Sequence, residues 1–461
     1  MKNELKRNAL GIGDAIILGL SSSGPSQTMA VSLAGIVAAS SYAGVLPILI
    51  SFIPMLGIAI AYQRLNRWDP NAGATYSWVA RTLSPTLGFL SGWMILLYYT
   101  VGTASLTIPC GTYSLQIFAP HLVNNQLAVG LVGAAWNITV TLLALASIKV
   151  AARFEWVISV FEYVVVGGFA IIGIAWVFMH KTAVPFSGDW FTLHGAGGLK
   201  GLMAGILIAC FMYSGWDAAI YVNEETQDAT RNPGRAAIAS VVLLAVFYAV
   251  ATFGFQGVLS GNDLQNNAGN ALAVIATKLL PGPWGMVMSL VVLTGTIASL
   301  QAAVISAARM GFSMAGDRVM PAFFRRTGAR NGAPYAATIF MGGINLIFLF
   351  FSLATGSIAS ALSNVISALG LIALLFYGLT AAAALWHFRK TLTDNAGNFF
   401  LGGVLPAIGI IFAGGVIILS VVTQATNKTV LAYGAGALII GLLLAWGIRR
   451  FSTTSFFKAH T

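Results

Sequence analysis

Two carboxylic acids, Asp217 and Glu162, stand inside long apolar runs of this 461-residue chain. A carboxyl at membrane depth is costly, so its default reading is functional. The bland alternative is a side chain satisfied by a neighbouring helix. Asp217 lies in FMYSGWDAAIYVNEETQDATRNPGR (211–235), where Ser214 and Gly215 weaken a helix just ahead of it. Glycine leaves the backbone unrestrained, and serine offers it competing hydrogen bonds. The first apolar run carries a matching interruption at Ser21, Ser22, Ser23, Gly24 and Pro25. Proline removes a donor and clashes with the preceding turn, so a bend or break is expected there, with a kinked but continuous helix as the alternative.

Broken helices expose backbone groups, and those groups can bind charge. N–H groups at the start of the outer half of the first run form a positive dipole end suited to a carboxylate. Ser22, Ser23 and Gly24 would supply them, with Ser26 a weaker candidate. Carbonyls of Phe211, Met212 and Ser214 would accept from an ammonium group. An α-amino acid presents both charges side by side, so such a site reads it without charged side chains. Tyr213, Trp216, Tyr98 and Tyr99 are aromatic candidates for side-chain contact or gating, against the alternative of packing or interface anchoring.

The elements that hold these residues are membrane helices. The chain is 57% hydrophobic and only 8% charged, which excludes a soluble domain. Twelve spans are expected near 14–38, 43–63, 86–116, 126–147, 155–179, 199–223, 236–259, 285–310, 334–354, 358–386, 402–423 and 429–448, forming one integral membrane domain over 1–461. The formal charge of +11 does not signal nucleic acid, because no basic tract accompanies it. With the N-terminus cytoplasmic, twenty of the 24 Lys and Arg, from Lys2 through Arg330 to Lys458, fall inside and only Lys181, Lys200, Lys278 and Lys428 outside. That asymmetry predicts cytoplasmic N- and C-termini. The basic start runs into a long span without a cleavage site and is read as retained. The breaks occupy the same place in spans one and six, the first of two five-span halves, which is the pointer to an inverted-repeat transporter with a midplane site.

Three segments also carry a resemblance: YSGWDAAIYVNEET…NPGRAA at 213–237, NRWDPNAGATYSWVARTLSPTLGFLSGW at 66–93, and SAARMGFSMAGDRVMPAFF at 306–324. In that order they resemble the amino acid–polyamine–organocation superfamily of secondary transporters. The resemblance spans about residues 8–450 and implies the leucine-transporter fold: ten spans in two inverted repeats, plus two peripheral ones. It places Asp217 where many relatives carry a glutamate, which implies proton sensing or amine recognition. At Glu162 many relatives carry a lysine, whose ammonium replaces a sodium ion. A glutamate reverses that sign, so Glu162 is read either as a proton carrier or as holding a cation with Thr296 and Ser299. That departure means the coupling ion is not borrowed from the family; the two buried carboxylates favour H+ over Na+.

Glu224, Glu225, Arg231 and Arg235, with Arg64, Arg67, Asp69 and Arg81, could latch an inner gate, or could be ordinary solvated loop charges. Enzyme chemistry finds no support. His121, His180, His194, His387 and His460 lack metal-ligand spacing, no phosphate-cradling loop occurs, and Cys110 and Cys210 both sit in apolar runs. The reading is a secondary active permease of a bacterial inner membrane that moves an amino acid by alternating access coupled to protons, with an amine or polyamine carrier or exchanger on the same scaffold as the alternative. A cation channel or sensor leaves the paired breaks unexplained.

Overall fold

The computed structural model describes residues 4–179, 182–267, 270–328, 332–354, 358–422, 428–452 and 454–458, with side chains at 104 and 351–367 excepted. Lys2, Lys181, Arg330, His180 and His460 lie outside the described residues. The fold is all-α, with ten helices long and apolar enough to cross a membrane among the described residues. Two further crossings complete the twelve expected spans. Span one is divided into Ile12–Ser23 and Pro25–Ser40, each too short alone, and span nine is Tyr335–Ala354.

Both breaks form where the residue types demand them. Gly24 takes φ 54°, ψ 66°, and its N–H caps the first half by donating to the carbonyls of Leu20 and Ser21. Pro25 then opens the second half at the position where its missing N–H costs nothing. Span six runs Gly198–Tyr213, turns through Ser214–Asp217, and resumes for one turn at Ala218–Tyr221. Gly215 has φ 103°. A Cβ there would come within 2.9 Å of the Ser22 carbonyl group and the Ser23 nitrogen, so the two breaks lie back to back.

The remaining spans enclose them: Val45–Trp68 (two), Pro85–Phe118 (three), Gln126–Ala146 (four), Ile148–Phe178 (five), Asn232–Phe255 (seven), Trp284–Gly316 (eight) and Ile358–Phe388 (ten). Their packing is nearly unchanged when spans one to five are exchanged for six to ten. Two packs on seven, three on eight and four on nine. One packs on seven as six does on two, five on seven as ten on two, five on eight as ten on three, and one on five as six on ten. Five crossings separate each corresponding pair, so its members run in opposite directions. Spans three and eight, at 34 and 33 residues, are longer than a perpendicular crossing needs and bind the halves together. Spans eleven (Leu405–Val422) and twelve (Lys428–Phe451) lie outside this bundle, against spans two, three and ten. Their position shows in burial: 89% of the apolar window of span eight is buried, against 17% for span twelve. The short helices Thr75–Thr82, Gly261–Asn266 and Ala271–Leu279 fall in stretches read as loops, because their length and mixed polarity gave no span signal.

Gly215→Ala tests the close approach of the breaks. It should destabilise the protein by roughly 1–3 kcal/mol through the strained φ alone, seen as a lower Tm. Gly168→Ala is the control: its added Cβ meets nothing within 4 Å, and it should be neutral or stabilising.

Candidate functional site

A cavity of about 40 Å3 opens where the two breaks meet. Span one contributes Ser22, Ser23, Gln27, Thr28 and Val31; span three contributes Tyr98, Tyr99, Gly102, Ser105 and Leu106. Phe211 and Ser214 come from span six, Ser299 and Ala303 from span eight, and Leu369 from span ten. No side chain in this lining is ionisable at neutral pH. Its hydroxyls and amide can exchange hydrogen bonds, while Val31, Leu106, Phe211 and Leu369 offer an apolar wall. Ser22 Oγ is buried beside the Tyr99 phenol and makes no hydrogen bond of good geometry, so a hydroxyl stands at the break. Ser214 Oγ lies 2.7 Å from Tyr98 Oη and donates to the Phe211 carbonyl at 2.6 Å.

The backbone groups expected to read a zwitterion are largely engaged in this conformation. The Gly24 N–H closes the helix before it, and the Ser26 N–H donates to Glu162 Oε1. Phe211 O accepts from both the Ser214 amide and its hydroxyl. Of the aromatic candidates, Tyr98 and Tyr99 line the cavity. Tyr213 turns away to donate to Ile48 O, and Trp216 stacks on Tyr377 with centroids 5.2 Å apart. Met212 and Gly215 are buried behind the wall.

Asp217 also sits one layer back, fully buried. Three phenols donate to its carboxylate: Tyr221 to Oδ2 at 2.7 Å, and Tyr377 and Tyr99 to Oδ1 at 2.8 and 3.1 Å. The Gly215 N–H donates in turn to Tyr377 Oη at 3.1 Å. Asp217 is thereby joined to the span-six break through Tyr377, and to the cavity wall through Tyr99. Tyr221 and Tyr377 were not singled out from sequence; an aromatic in a span carries no local mark of its partner.

Glu162 caps the second half of span one. Its Oε1 accepts from the first free N–H of that helix, where an anion meets the positive end of the dipole. Gly295 of span eight leaves room for this pair, because a Cβ there would meet Ser26 Oγ and the Glu162 carboxyl. Thr296 and Ser299 spend their hydroxyls on Val292 O and Gly295 O of their own helix.

At one end of the bundle, Arg309 of span eight grips Glu225 with two bonds, Nε to Oε2 at 2.9 Å and Nη2 to Oε1 at 3.1 Å, both side chains buried. The Glu225 carbonyl accepts from the Ala9 and Leu10 amides, tying down the segment before span one. Glu224 accepts from the Ala72 amide, and Arg81 pairs with Asp69 at 2.8 Å. The expected network is thus redistributed. Arg231 and Arg235 are exposed with no ion pair among the described residues, and Arg64 reaches Asn398 instead. Loop proximity in sequence suggested Arg231; the helical register of span eight delivers Arg309.

A family model described as amino acid permease matches residues 10–453. The chain belongs to that family. Among its relatives, the low-affinity putrescine importer PlaP of Escherichia coli is 27% identical over 360 residues, covering 76% of each chain. The human large neutral amino acids transporter small subunit 2 is 25% identical, covering 73% of this chain and 61% of its own. The branched-chain amino acid permease BcaP of Lactococcus lactis is 24% identical, covering 77% of both. The protein is therefore an integral membrane permease of the amino acid–polyamine–organocation superfamily.

Breaking the buried pair with Arg309→Met should cost about 3–5 kcal/mol, because it strands a buried carboxylate. Adding Glu225→Leu should restore much of that loss, and thermal unfolding of the wild type and the two variants measures both. Tyr377→Phe removes one donor from Asp217 and should cost about 1.5–3 kcal/mol, read in the same assay.

Proposed function

We propose that this permease carries a neutral α-amino acid across the plasma membrane by alternating access, driven by protons. The observation that carries the reading is the uncharged cavity between two helix breaks. A zwitterion needs one donor cluster and one acceptor cluster, which the breaks of spans one and six supply when their turns open. A diamine needs two anionic partners, yet the nearby carboxylates, Asp217 and Glu162, are behind the lining and already hold hydrogen bonds. The apolar wall favours an aliphatic side chain, in keeping with the relatives named for large neutral and branched-chain amino acids. The relative named for putrescine favours an amine instead.

Coupling is assigned to Asp217 and Glu162. Each is wired to a break, Asp217 through Tyr377 to Gly215 and Glu162 directly to Ser26. Adding or removing a proton at either carboxyl changes what holds that break. The Arg309–Glu225 pair, with the segment it anchors, is the inner gate that must part for release, while Tyr98 and Tyr99 wall the cavity. The loop-charge asymmetry supports cytoplasmic termini in a bacterial inner membrane.

A thermal-stability screen of the purified protein checks the substrate class. L-Leucine at about a hundredfold over its Kd should stabilise the fold by about 2.7 kcal/mol; putrescine should not. Stabilisation by putrescine alone would move the assignment to amines. Asp217→Asn should flatten the pH dependence of uptake in a folded protein, and an unchanged profile would remove Asp217 from coupling.

A further inference from the structure

One buried acid remains unused. Glu155 lies seven residues before Glu162 on span five, and Ser159 falls between them on the same helix face. Helical rise separates the two acidic positions by about 10 Å along the axis. All three side chains are buried from both lipid and water. Neither oxygen of Glu155 makes a hydrogen bond of good geometry in this conformation, and neither does Oε2 of Glu162. The Ser159 hydroxyl is 2.9 Å from that of Ser21, on the first half of span one. The Ser21 hydroxyl lies beside the Glu155 carboxyl, and Glu162 is near enough to act on it through space.

Among the described residues no basic side chain neutralises this file. The charged residues on elements packed against span five are committed elsewhere. Asp14 accepts from Trp156 and the Gly11 amide, Arg309 holds Glu225, and Lys278 donates to the Val258 carbonyl. Arg235 is exposed, and span four and the second half of span one carry no charge. On span five itself Lys149 and Arg153 are exposed. Span seven adds Tyr248, which faces Glu162 together with Tyr163. Burying a carboxylate without a cation costs several kcal/mol. Two such acids, with the paired hydroxyls of Ser159 and Ser21 set along the same stretch of helix, are suited to holding and passing protons.

We propose that Glu155 and Glu162 are the two stations of a proton path along span five, with Ser159 and Ser21 between them. The proton leaves the carboxylic acid of Glu155. Each serine oxygen accepts one proton and releases its own, and the last reaches a carboxylate oxygen of Glu162, leaving Glu155 ionised. Its arrival turns the charge-assisted bond to the Ser26 N–H into a weaker neutral one. The hold on the second half of span one loosens, and the break beside the cavity is freed to move. This deepens, and rests on, the proton-coupled reading above.

Infrared difference spectra between pH 5 and pH 8, on the purified protein in lipid, test the stations without any substrate. Wild type should show a carboxylic acid C=O band that Glu155→Gln diminishes and whose Glu162 component it also shifts. Glu155→Asp should restore the band. In proteoliposomes, Glu155→Gln should lower pH-gradient-driven L-leucine accumulation at least tenfold relative to L-leucine homoexchange in the same vesicles. A band unaltered by Glu155→Gln, or an unaltered ratio of accumulation to exchange, overturns the path. If wild type moves no L-leucine, the substrate reading fails, and the infrared result alone still decides the proton path.

Discussion

The structure turns on a single buried carboxylate held by three phenols. Asp217 takes its hydrogen bonds from Tyr99 of span three, Tyr221 beyond the span-six break and Tyr377 of span ten. An ionised carboxylate in so dry a place would be prohibitive without donors of this kind. The donors in turn tie spans three, six and ten to one carboxylate. Tyr377 also accepts from Gly215, so the turn that interrupts span six is fixed by the same cluster. Disturbing one bond therefore disturbs the position of the break.

Glycine makes the second requirement. Gly215 lets the two interrupted helices touch through their backbones, Gly24 makes room for Ser299 of span eight, and the cavity forms beside these contacts. The halves of the bundle then interlock through spans three and eight, one from each repeat. Glu162 and Arg309 mark two of the places where span one is held: the first caps its second half, and the second anchors the segment before it through Glu225. Movement of span one between these holds is what alternating access requires.

Much of this was legible in the sequence because the cues are local. Ser-Ser-Ser-Gly-Pro and Ser-Gly-Trp-Asp each break a helix by their own backbone preferences, and apolar length alone marks most spans. Partners across the bundle were not legible. That Tyr377 rather than Tyr213 meets the span-six site, that Arg309 rather than Arg231 holds Glu225, and that the Ser26 amide is spent on Glu162 all depend on helix rotation and depth. Glu155 escaped notice for the same reason: near the end of an apolar run, it looks like a boundary residue until packing buries it.

The most direct measurement of the central claim is counterflow of labelled L-leucine into proteoliposomes, with competitors that keep the side chain and lose one charge. If the uncharged cavity reads a zwitterion through both breaks, unlabelled L-leucine should compete. 3-Methylbutylamine, which lacks the carboxylate, and 4-methylpentanoate, which lacks the ammonium, should compete at least tenfold more weakly. Equal competition by the amine would contradict the account, since it would show that the span-one break contributes nothing to recognition.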